Sequence, residues 1–163
     1  MNKINPPTSD KKDYRTTVQE RISLMSLTQK QRESETVSKQ LIHIASEKKY
    51  QTIVGYKAFD DEVDIGLFLI WCKQNGKNIS IIPQSTEVFE IPQNALLIVP
   101  GRAFTKEGKR IGRGSGYYDK LIEKYNPICT VGVCFDCQIF DNLPEEKWDK
   151  RVNEVVFAGN TLE

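Results

Sequence analysis

Apolar residues recur at helical spacing in two segments near the start of the chain. The first segment follows Ser9 and Asp10, either of which can cap a helix. Its apolar residues lie three or four positions apart: Tyr14, Val18, Ile22 and Met25. The second follows Thr28, which forms a capping-box pattern with Gln31. Its apolar face consists of Val37, Leu41, Ile44 and Ala45. The pattern therefore predicts two amphipathic helices before the first strand.

After the second helix, short apolar runs alternate with helical patterns. Five runs are typical of strands: residues 52–56, 78–83, 95–100, 130–135 and 154–158. A third helix is predicted to start near Asp64 and a fourth near Gly114 to Gly116. Continuous apolar strands that alternate with helices indicate a buried, mostly parallel sheet. The predicted fold is a single-domain, three-layer α/β structure, a Rossmann-like sheet flanked by helices.

The length and charge of the chain narrow the class of protein. With 163 residues and no internal repeat or linker, one domain over 9–163 is expected, after a frayed N-terminus over 1–8. The net charge of +1 does not indicate a nucleic-acid or membrane partner. No apolar run approaches the roughly 18 to 20 residues of a membrane helix, and no secretory signal pattern is present. We therefore expect a cytoplasmic monomer with reduced cysteines.

Two of the cysteines form a CxxC pair, Cys134 and Cys137. A structural zinc site usually needs four ligands, and the single histidine, His43, lies far away in a helical pattern. We therefore interpret Cys134 as a small buried side chain at the end of a strand.

The candidate chemistry lies in a glycine-rich stretch after the third strand. Five of the ten glycines fall between Gly101 and Gly116. The same stretch carries basic residues: Arg102, Lys106, Lys109, Arg110 and Arg113. A strand, a glycine-rich loop and a helix in this order present free backbone N–H groups and the positive end of a helix dipole to a phosphate. Asp119, about one turn into the helix, is placed to hold a magnesium ion that bridges phosphate oxygens.

The spacing of this stretch matches neither the GxxxxGK[ST] P-loop nor a full GxGxxG dinucleotide motif. The pattern alone leaves two interpretations open. One is a phosphate-binding loop with Mg-ATP as the expected ligand, and the other is a surface turn whose basic residues are solvated.

Residues 99–122, VPGRAFTKEGKRIGRGSGYYDKLI, resemble the signature of the 5-formyltetrahydrofolate cyclo-ligase family, also called methenyltetrahydrofolate synthetases. That signature has a strand ending in PG, then AFD, a GxRLG segment and GxGxGYYD. The matching positions are Pro100, Gly101, Ala103, Phe104, Gly108, Arg110, Gly112, Gly114, Gly116, Tyr117, Tyr118 and Asp119. Three shorter matches follow the order of the family: KKDYR at 11–15, YKAFDDEVDI at 56–65 and LPEEKWDKRVNEVV at 143–156.

The resemblance implies the ligands of the site and the residues that contact them. The positions implied for ATP are Lys11, Arg15, Arg110, Ile111, Gly112, Arg113, Gly114, Ser115, Gly116, Tyr117 and Tyr118. Those implied for the reduced folate are Lys57, Glu62, Arg113 and Tyr117. Asp119 and Asp149 are implied as ligands of Mg²⁺. The implied reaction is the closure of 5-formyltetrahydrofolate to 5,10-methenyltetrahydrofolate, with ATP converted to ADP and phosphate.

The chain departs from this family pattern in its middle section. Members usually have a longer connection between the IxIP strand and the strand before PG, whereas this chain has only residues 84–95 there. Ser115 also stands where the family often has glycine or lysine. Two alternatives therefore stay open. The first is a divergent member that keeps the ATP site but uses another acceptor or has no turnover.

The second alternative is a module whose basic loop at 102–113 binds RNA or another phosphate. The near-neutral charge and the lack of an aromatic stacking platform among the basic residues disfavour it.

Overall fold

A computed structural model describes residues 10–83 and 89–160. The helices are α1 (Lys11–Ser23), α2 (Leu27–Glu47), α3 (Gly66–Gln74) and α4 (Tyr117–Tyr125). The strands are β1 (Thr52–Tyr56), β2 (Asn78–Ile82), β3 (Ala95–Val99), β4 (Ala103–Phe104), β5 (Arg110–Ile111), β6 (Cys129–Val133) and β7 (Glu154–Val156). A short 3₁₀ helix spans Asp136–Gln138. None of the helices in the described ranges has the length and hydropathy to cross a membrane.

The main sheet has the strand order β2-β1-β3-β6-β7, and every pairing in it is parallel. β3 and β6 are buried along their whole length. This confirms the predicted α/β class and explains why both strands read as continuous apolar runs, since helices cover both faces of a parallel sheet.

Alternate residues of the strands pack on opposite faces of the sheet. Ile53, Leu96 and Ile98 share one apolar cluster with residues of α1, α2 and α3. Val54 and Leu97 lie in a second cluster with residues of α4. Because successive side chains of a strand point to opposite faces, these two clusters define the three predicted layers.

The N-terminal ends of the helices show where the sequence prediction needs correction. Asp10 caps α1, and its side chain accepts a hydrogen bond from the Lys12 N–H at 3.1 Å. The cap of α2 is Ser26, whose hydroxyl accepts from the Gln29 N–H at 3.1 Å. The capping box predicted at Thr28 is therefore wrong, because Thr28 already lies inside the helix. Ser9 lies outside the described residues.

A small hairpin formed by β4 and β5 was not predicted. It lies between β3 and the fourth helix and pairs Ala103 with Ile111. Gly108, in its turn, has a φ of +100°, and a Cβ there would lie 2.2 Å from the Val152 carbonyl oxygen. Two-residue strands are too short to show a periodic pattern, so they could not be predicted from the hydrophobic pattern.

Candidate functional site

A cavity of about 560 Å³ lies beside the carboxyl ends of β1, β2 and β3. Tyr56, Ile82 and Pro100, which end or follow these strands, line it. Ligands of open parallel sheets commonly bind at this edge. Nearly all of the predicted site residues also line the cavity: Lys11, Arg15, Lys57, Glu62, Arg110, Gly112, Arg113, Gly114, Ser115, Gly116, Tyr117, Tyr118, Asp119 and Asp149.

Ile111 is the predicted site residue that the structure places elsewhere. Its side chain is 1% exposed and belongs to the apolar cluster on the α1 side of the sheet. Its carbonyl accepts a hydrogen bond from the Arg102 N–H at 2.8 Å. The Ile111 side chain therefore stabilises the hairpin beneath the loop and does not line the cavity.

The glycine-rich loop takes conformations that favour glycine. Gly114 and Gly116 have φ values of +120° and +69°. Gly116 is also the N-cap of α4, and no side chain makes the capping hydrogen bond. The first N–H groups of α4, with the positive end of its dipole, are therefore available to an anion in the cavity.

Basic side chains from two elements converge on this loop. Arg15, on α1, donates from Nε to the Gly112 carbonyl at 2.7 Å, which fixes the helix against the loop. Arg110 donates from Nε to the Pro100 carbonyl at 2.9 Å. Burial lowers the pKa of the Arg110 guanidinium, and the nearby Asp119 carboxylate opposes this change. Its Nη1 is buried and makes no hydrogen bond to the described residues, and its ion pair with Asp119 Oδ1 is 3.6 Å long.

The two predicted metal ligands line the same cavity, and each is held in place by hydrogen bonds. Asp119 Oδ1 accepts from the Lys150 N–H at 2.9 Å and lies 3.6 Å from Arg110 Nη1. Asp149 Oδ2 accepts from Lys11 Nζ at 2.6 Å and from the Glu146 N–H at 2.8 Å. These bonds use one oxygen of each carboxylate. Across residues 10–83 and 89–160, no three or more His, Cys, Asp or Glu form a metal-binding group.

Three apolar residues and one carboxylate from outside the loop also line the cavity, and they form what we call the acceptor wall. These residues are Phe59, Ile82, Pro83 and Glu62. Glu62 Oε1 accepts from the Phe59 N–H at 2.9 Å, and Oε2 lies 3.6 Å from Arg113 Nη2. Burial raises the pKa of Glu62, although the Phe59 N–H and the Arg113 charge act in the opposite direction. The Tyr56 hydroxyl donates to the Val63 carbonyl at 2.6 Å, and this bond holds the turn at residues 59–62 against the end of β1.

Sequence reasoning missed several residues that line the cavity: Asp10, Phe59, Ile82, Pro83, Glu146 and Trp148. Ile82 and Pro83 could have been predicted, since both end a strand predicted to be parallel and ligands commonly bind at the carboxyl ends of such strands. Trp148 lies inside the matched closing segment, and its 66% exposure beside a cavity distinguishes it from a core aromatic residue.

The fold and the cavity define an α/β protein with a glycine-rich, basic loop at the carboxyl edge of a parallel sheet. The family model described as the 5-formyltetrahydrofolate cyclo-ligase family matches residues 74–158. The chain therefore belongs to the 5-formyltetrahydrofolate cyclo-ligase family.

Individual relatives agree with this assignment. A 5-formyltetrahydrofolate cyclo-ligase of Haemophilus influenzae is 25% identical over 177 residues, which cover 87% of this chain and 94% of that protein. A solved 5,10-methenyltetrahydrofolate synthetase from Mycoplasma pneumoniae has a TM-score of 0.77 at 22% identity and covers 91% of this chain and 99% of that one. The Aquifex aeolicus 5,10-methenyltetrahydrofolate synthetase has a TM-score of 0.74 at 24% identity, with 92% and 90% covered. The two structural matches establish the shared fold.

Proposed function

We propose that this protein cyclises 5-formyltetrahydrofolate to 5,10-methenyltetrahydrofolate with Mg-ATP and releases ADP and phosphate. The observation that carries the proposal is a single cavity that joins two unlike surfaces. One surface is the cationic loop at the start of α4, and the other is the apolar wall with Glu62. A reaction between a triphosphate and a flat, uncharged ring system needs these two surfaces in one site.

The nucleotide surface suits a triphosphate because its donors are already fixed in place. Lys11, Arg15, Arg110 and the backbone of residues 112–118 would hold the phosphates. Arg110 gives the strongest support, because its buried Nη1 makes no hydrogen bond to the described residues and has only a 3.6 Å ion pair with Asp119 Oδ1. A phosphate oxygen at the cavity would satisfy it.

Asp119 and Asp149 fit the role of magnesium ligands on the same surface. Mg²⁺ bound to a nucleotide usually takes one or two protein carboxylates, and its other ligands are phosphate oxygens and water. The hydrogen bonds that fix these two side chains leave the second oxygen of each carboxylate for a cation. The ion would neutralise phosphate charge as the terminal phosphoryl group is transferred.

The acceptor surface suits a pterin ring. A pterin is flat and carries N–H donors on one edge, so it needs an apolar wall and an acceptor in the plane of the ring. Phe59, Ile82 and Pro83 supply the wall, and the Glu62 carboxylate supplies the acceptor. Lys57, Arg113 and Tyr117 line the cavity beside it.

The reaction needs activation because the oxygen of a formamide is a poor leaving group. In the proposed sequence the formyl oxygen attacks the γ-phosphorus, and ADP leaves. The neighbouring nitrogen then attacks the activated formyl carbon, the C–O bond breaks, and phosphate departs with that oxygen while the nitrogen loses its proton. The protein forms no covalent bond. Its contribution is to align the formyl oxygen with the γ-phosphate and to neutralise the developing charge.

Relatives that match over nearly their full length support the folate reaction over a divergent member with another acceptor. The Haemophilus influenzae 5-formyltetrahydrofolate cyclo-ligase has 94% of its length within the match to this chain. The Mycoplasma pneumoniae 5,10-methenyltetrahydrofolate synthetase has 99% of its length within the match.

The direct test is absorbance in the methenyl-folate band while the protein is mixed with 5-formyltetrahydrofolate, ATP and Mg²⁺. We expect a rise that needs ATP and that a chelator abolishes. If absorbance stays flat while calorimetry shows that ATP binds, the nucleotide site is retained and the acceptor is a different small molecule. If neither ligand binds, the proposal fails as a whole.

A further inference from the structure

We infer that Asp61 is a positioning residue that couples the nucleotide surface to the acceptor surface by holding Arg113 between them. The inference rests on the proposed function, because it requires that nucleotide and folate occupy the cavity together. Asp61 binds Arg113 and also Arg102, and neither Asp61 nor Arg102 lines the cavity. Their action on the ligands must therefore pass through neighbours that line the cavity, and Arg113 makes the shortest contact with Asp61.

The Asp61 carboxylate is shared between two guanidinium groups. Arg102 Nη1 donates to Oδ2 at 2.8 Å, and Arg113 Nη2 donates to Oδ1 at 2.6 Å. Burial alone would raise the pKa of Asp61, but the hydrogen bonds and charges of Arg113 and Arg102 hold it below its usual range. The carboxylate is thus ionised and bonded on both sides at neutral pH.

Arg102 is the fixed end of this arrangement. Its side chain is 7% exposed. Its N–H donates to the Ile111 carbonyl at 2.8 Å, and its own carbonyl accepts from Gln138 Nε2 at 3.0 Å. A buried guanidinium needs an anionic partner, so Arg102 holds Asp61 in one position from behind the cavity.

Arg113 is the adjustable end. Its side chain is 43% exposed, and a long exposed side chain samples many rotamers unless a partner fixes it. Bonded to Asp61, the guanidinium carbon lies 4.8 Å from the centre of the Phe59 ring, and Nη2 lies 3.6 Å from Glu62 Oε2. Arg113 belongs to the glycine-rich loop, whereas Phe59 and Glu62 belong to the acceptor wall. The bond to Asp61, at 2.6 Å, is the shortest of the three contacts that hold Arg113 against the acceptor wall.

Asp61 also moves with the residues that contact the acceptor. The turn that contains it closes on itself, since the Glu62 N–H donates to the Phe59 carbonyl at 3.0 Å and Glu62 Oε1 accepts from the Phe59 N–H at 2.9 Å. When phosphates order the loop, the Arg113–Asp61 bond transmits that order to the turn that carries Glu62. Each ligand should accordingly strengthen the binding of the other.

The test measures this coupling directly by calorimetry. The dissociation constant of 5-formyltetrahydrofolate is measured with and without a saturating non-hydrolysable ATP analogue and Mg²⁺. In the parent protein we expect the analogue to tighten folate binding by about fivefold or more, the lower end of common coupling strengths. Asp61→Asn should reduce that factor to about twofold or less, while the affinity for the analogue alone changes by less than about threefold, because Lys11, Arg15 and Arg110 are untouched.

Two further variants make the result decisive. Glu154→Gln removes an exposed ion pair with Lys48 that lies away from the cavity, and it should keep the full coupling. Asp61→Asn leaves the buried Arg102 cation without a carboxylate partner, which can prevent folding. Arg102→Met avoids this problem, because it removes the buried cation itself. A folded Arg102→Met variant should also lose coupling.

The outcomes separate this inference from the proposed function. Loss of coupling in Asp61→Asn or Arg102→Met, with coupling kept in Glu154→Gln, supports the positioning role. Full coupling in a folded variant of either residue, or a parent protein that binds both ligands independently, overturns it and leaves the proposed function intact. A parent protein that binds neither ligand overturns both.

Discussion

The two surfaces of the cavity are built in different ways. The proposed nucleotide surface comes mostly from one continuous stretch, residues 110–119, to which α1 adds Lys11 and Arg15 and the segment before β7 adds Asp149. The acceptor surface is assembled from the end of β1, the turn at 59–62 and the end of β2. The first surface is thus centred on one recognisable motif, whereas the second joins residues 56–62 to the end of β2 and has no single motif that spans both. This difference determines which residues a sequence can reveal.

The two surfaces also differ in how their charged groups are held. On the nucleotide surface, Arg15 and Arg110 donate to backbone carbonyls, and Lys11 is paired with Asp149. On the acceptor surface, the one buried carboxylate, Glu62, is bonded within its own turn. We therefore expect substitutions on the nucleotide surface to affect catalysis and packing together, and Glu62 substitutions to affect mainly the acceptor.

The largest effect is expected from Asp119→Asn. The asparagine oxygen can still accept from the Lys150 N–H, but it removes the charge that faces Arg110 and the proposed magnesium ion. We expect kcat to fall by about 100-fold, the usual effect of losing one group that stabilises transition-state charge, and half-saturation by Mg²⁺ to need more metal. Steady-state rates over a magnesium titration measure both.

Glu123→Gln is the matched control for that substitution. Glu123 lies on the same helix, pairs with the Lys150 side chain and is 66% exposed. Its loss should leave kcat and the magnesium requirement unchanged. Equal losses in both variants would mean that the helix and not the Asp119 charge is responsible.

The second effect compares a glycine needed for packing with a glycine needed at the site. In Gly108→Ala the new Cβ would lie 2.2 Å from the Val152 carbonyl oxygen, so the free energy of unfolding should fall by roughly 2–4 kcal/mol. In Gly116→Ala no atom would lie within 4 Å of the new Cβ. Only the positive φ is unfavourable, so the free energy of unfolding should fall by about 1–2 kcal/mol. Urea unfolding of the two variants checks this order. If Gly116→Ala proves the less stable protein, the assignment of the two glycines is wrong.

The third effect, on the acceptor surface, is smaller and depends on pH. Glu62→Gln should raise KM for 5-formyltetrahydrofolate about tenfold, in keeping with the loss of one charge-assisted hydrogen bond, and leave KM for ATP within about twofold. A comparable rise in KM for ATP would show that the two surfaces do not divide the ligands in this way.

The same variant tests the ionisation of Glu62 in the folded protein. Because burial raises the pKa of Glu62 above its ordinary value of 4.5, the folded state binds more protons than the unfolded state between 4.5 and the raised value. The stability of the parent protein should therefore fall as pH rises through that window, and Glu62→Gln should lack this loss. Urea unfolding gives the free energy of unfolding of both proteins from pH 4 to pH 7. The value for Glu62→Gln minus the value for the parent protein should increase as pH rises.

The sequence predicted most of the layered fold because the relevant signals are local. Continuous apolar runs predicted β3 and β6, and helical spacing predicted that Val18, Leu41 and Ile44 are buried, as the structure confirms. The errors fell where the signal was short or ambiguous. Thr28 and Ser26 both suit a helix cap, and only the observed hydrogen bond chooses Ser26.

At the site, the sequence alone was enough to locate the glycine-rich, basic loop, since its glycines, arginines and Asp119 lie within one short segment. Tertiary structure alone decided the rest. Arg102 and Asp61 are 41 positions apart, and Asp61 and Arg113 are 52 apart. No periodic pattern or motif relates residues at such distances, because the packing of β1 against β3 brings them together. The folded structure likewise buries the Ile111 side chain, which lies within the matched motif, and places Ile82, which lies outside it, at the cavity.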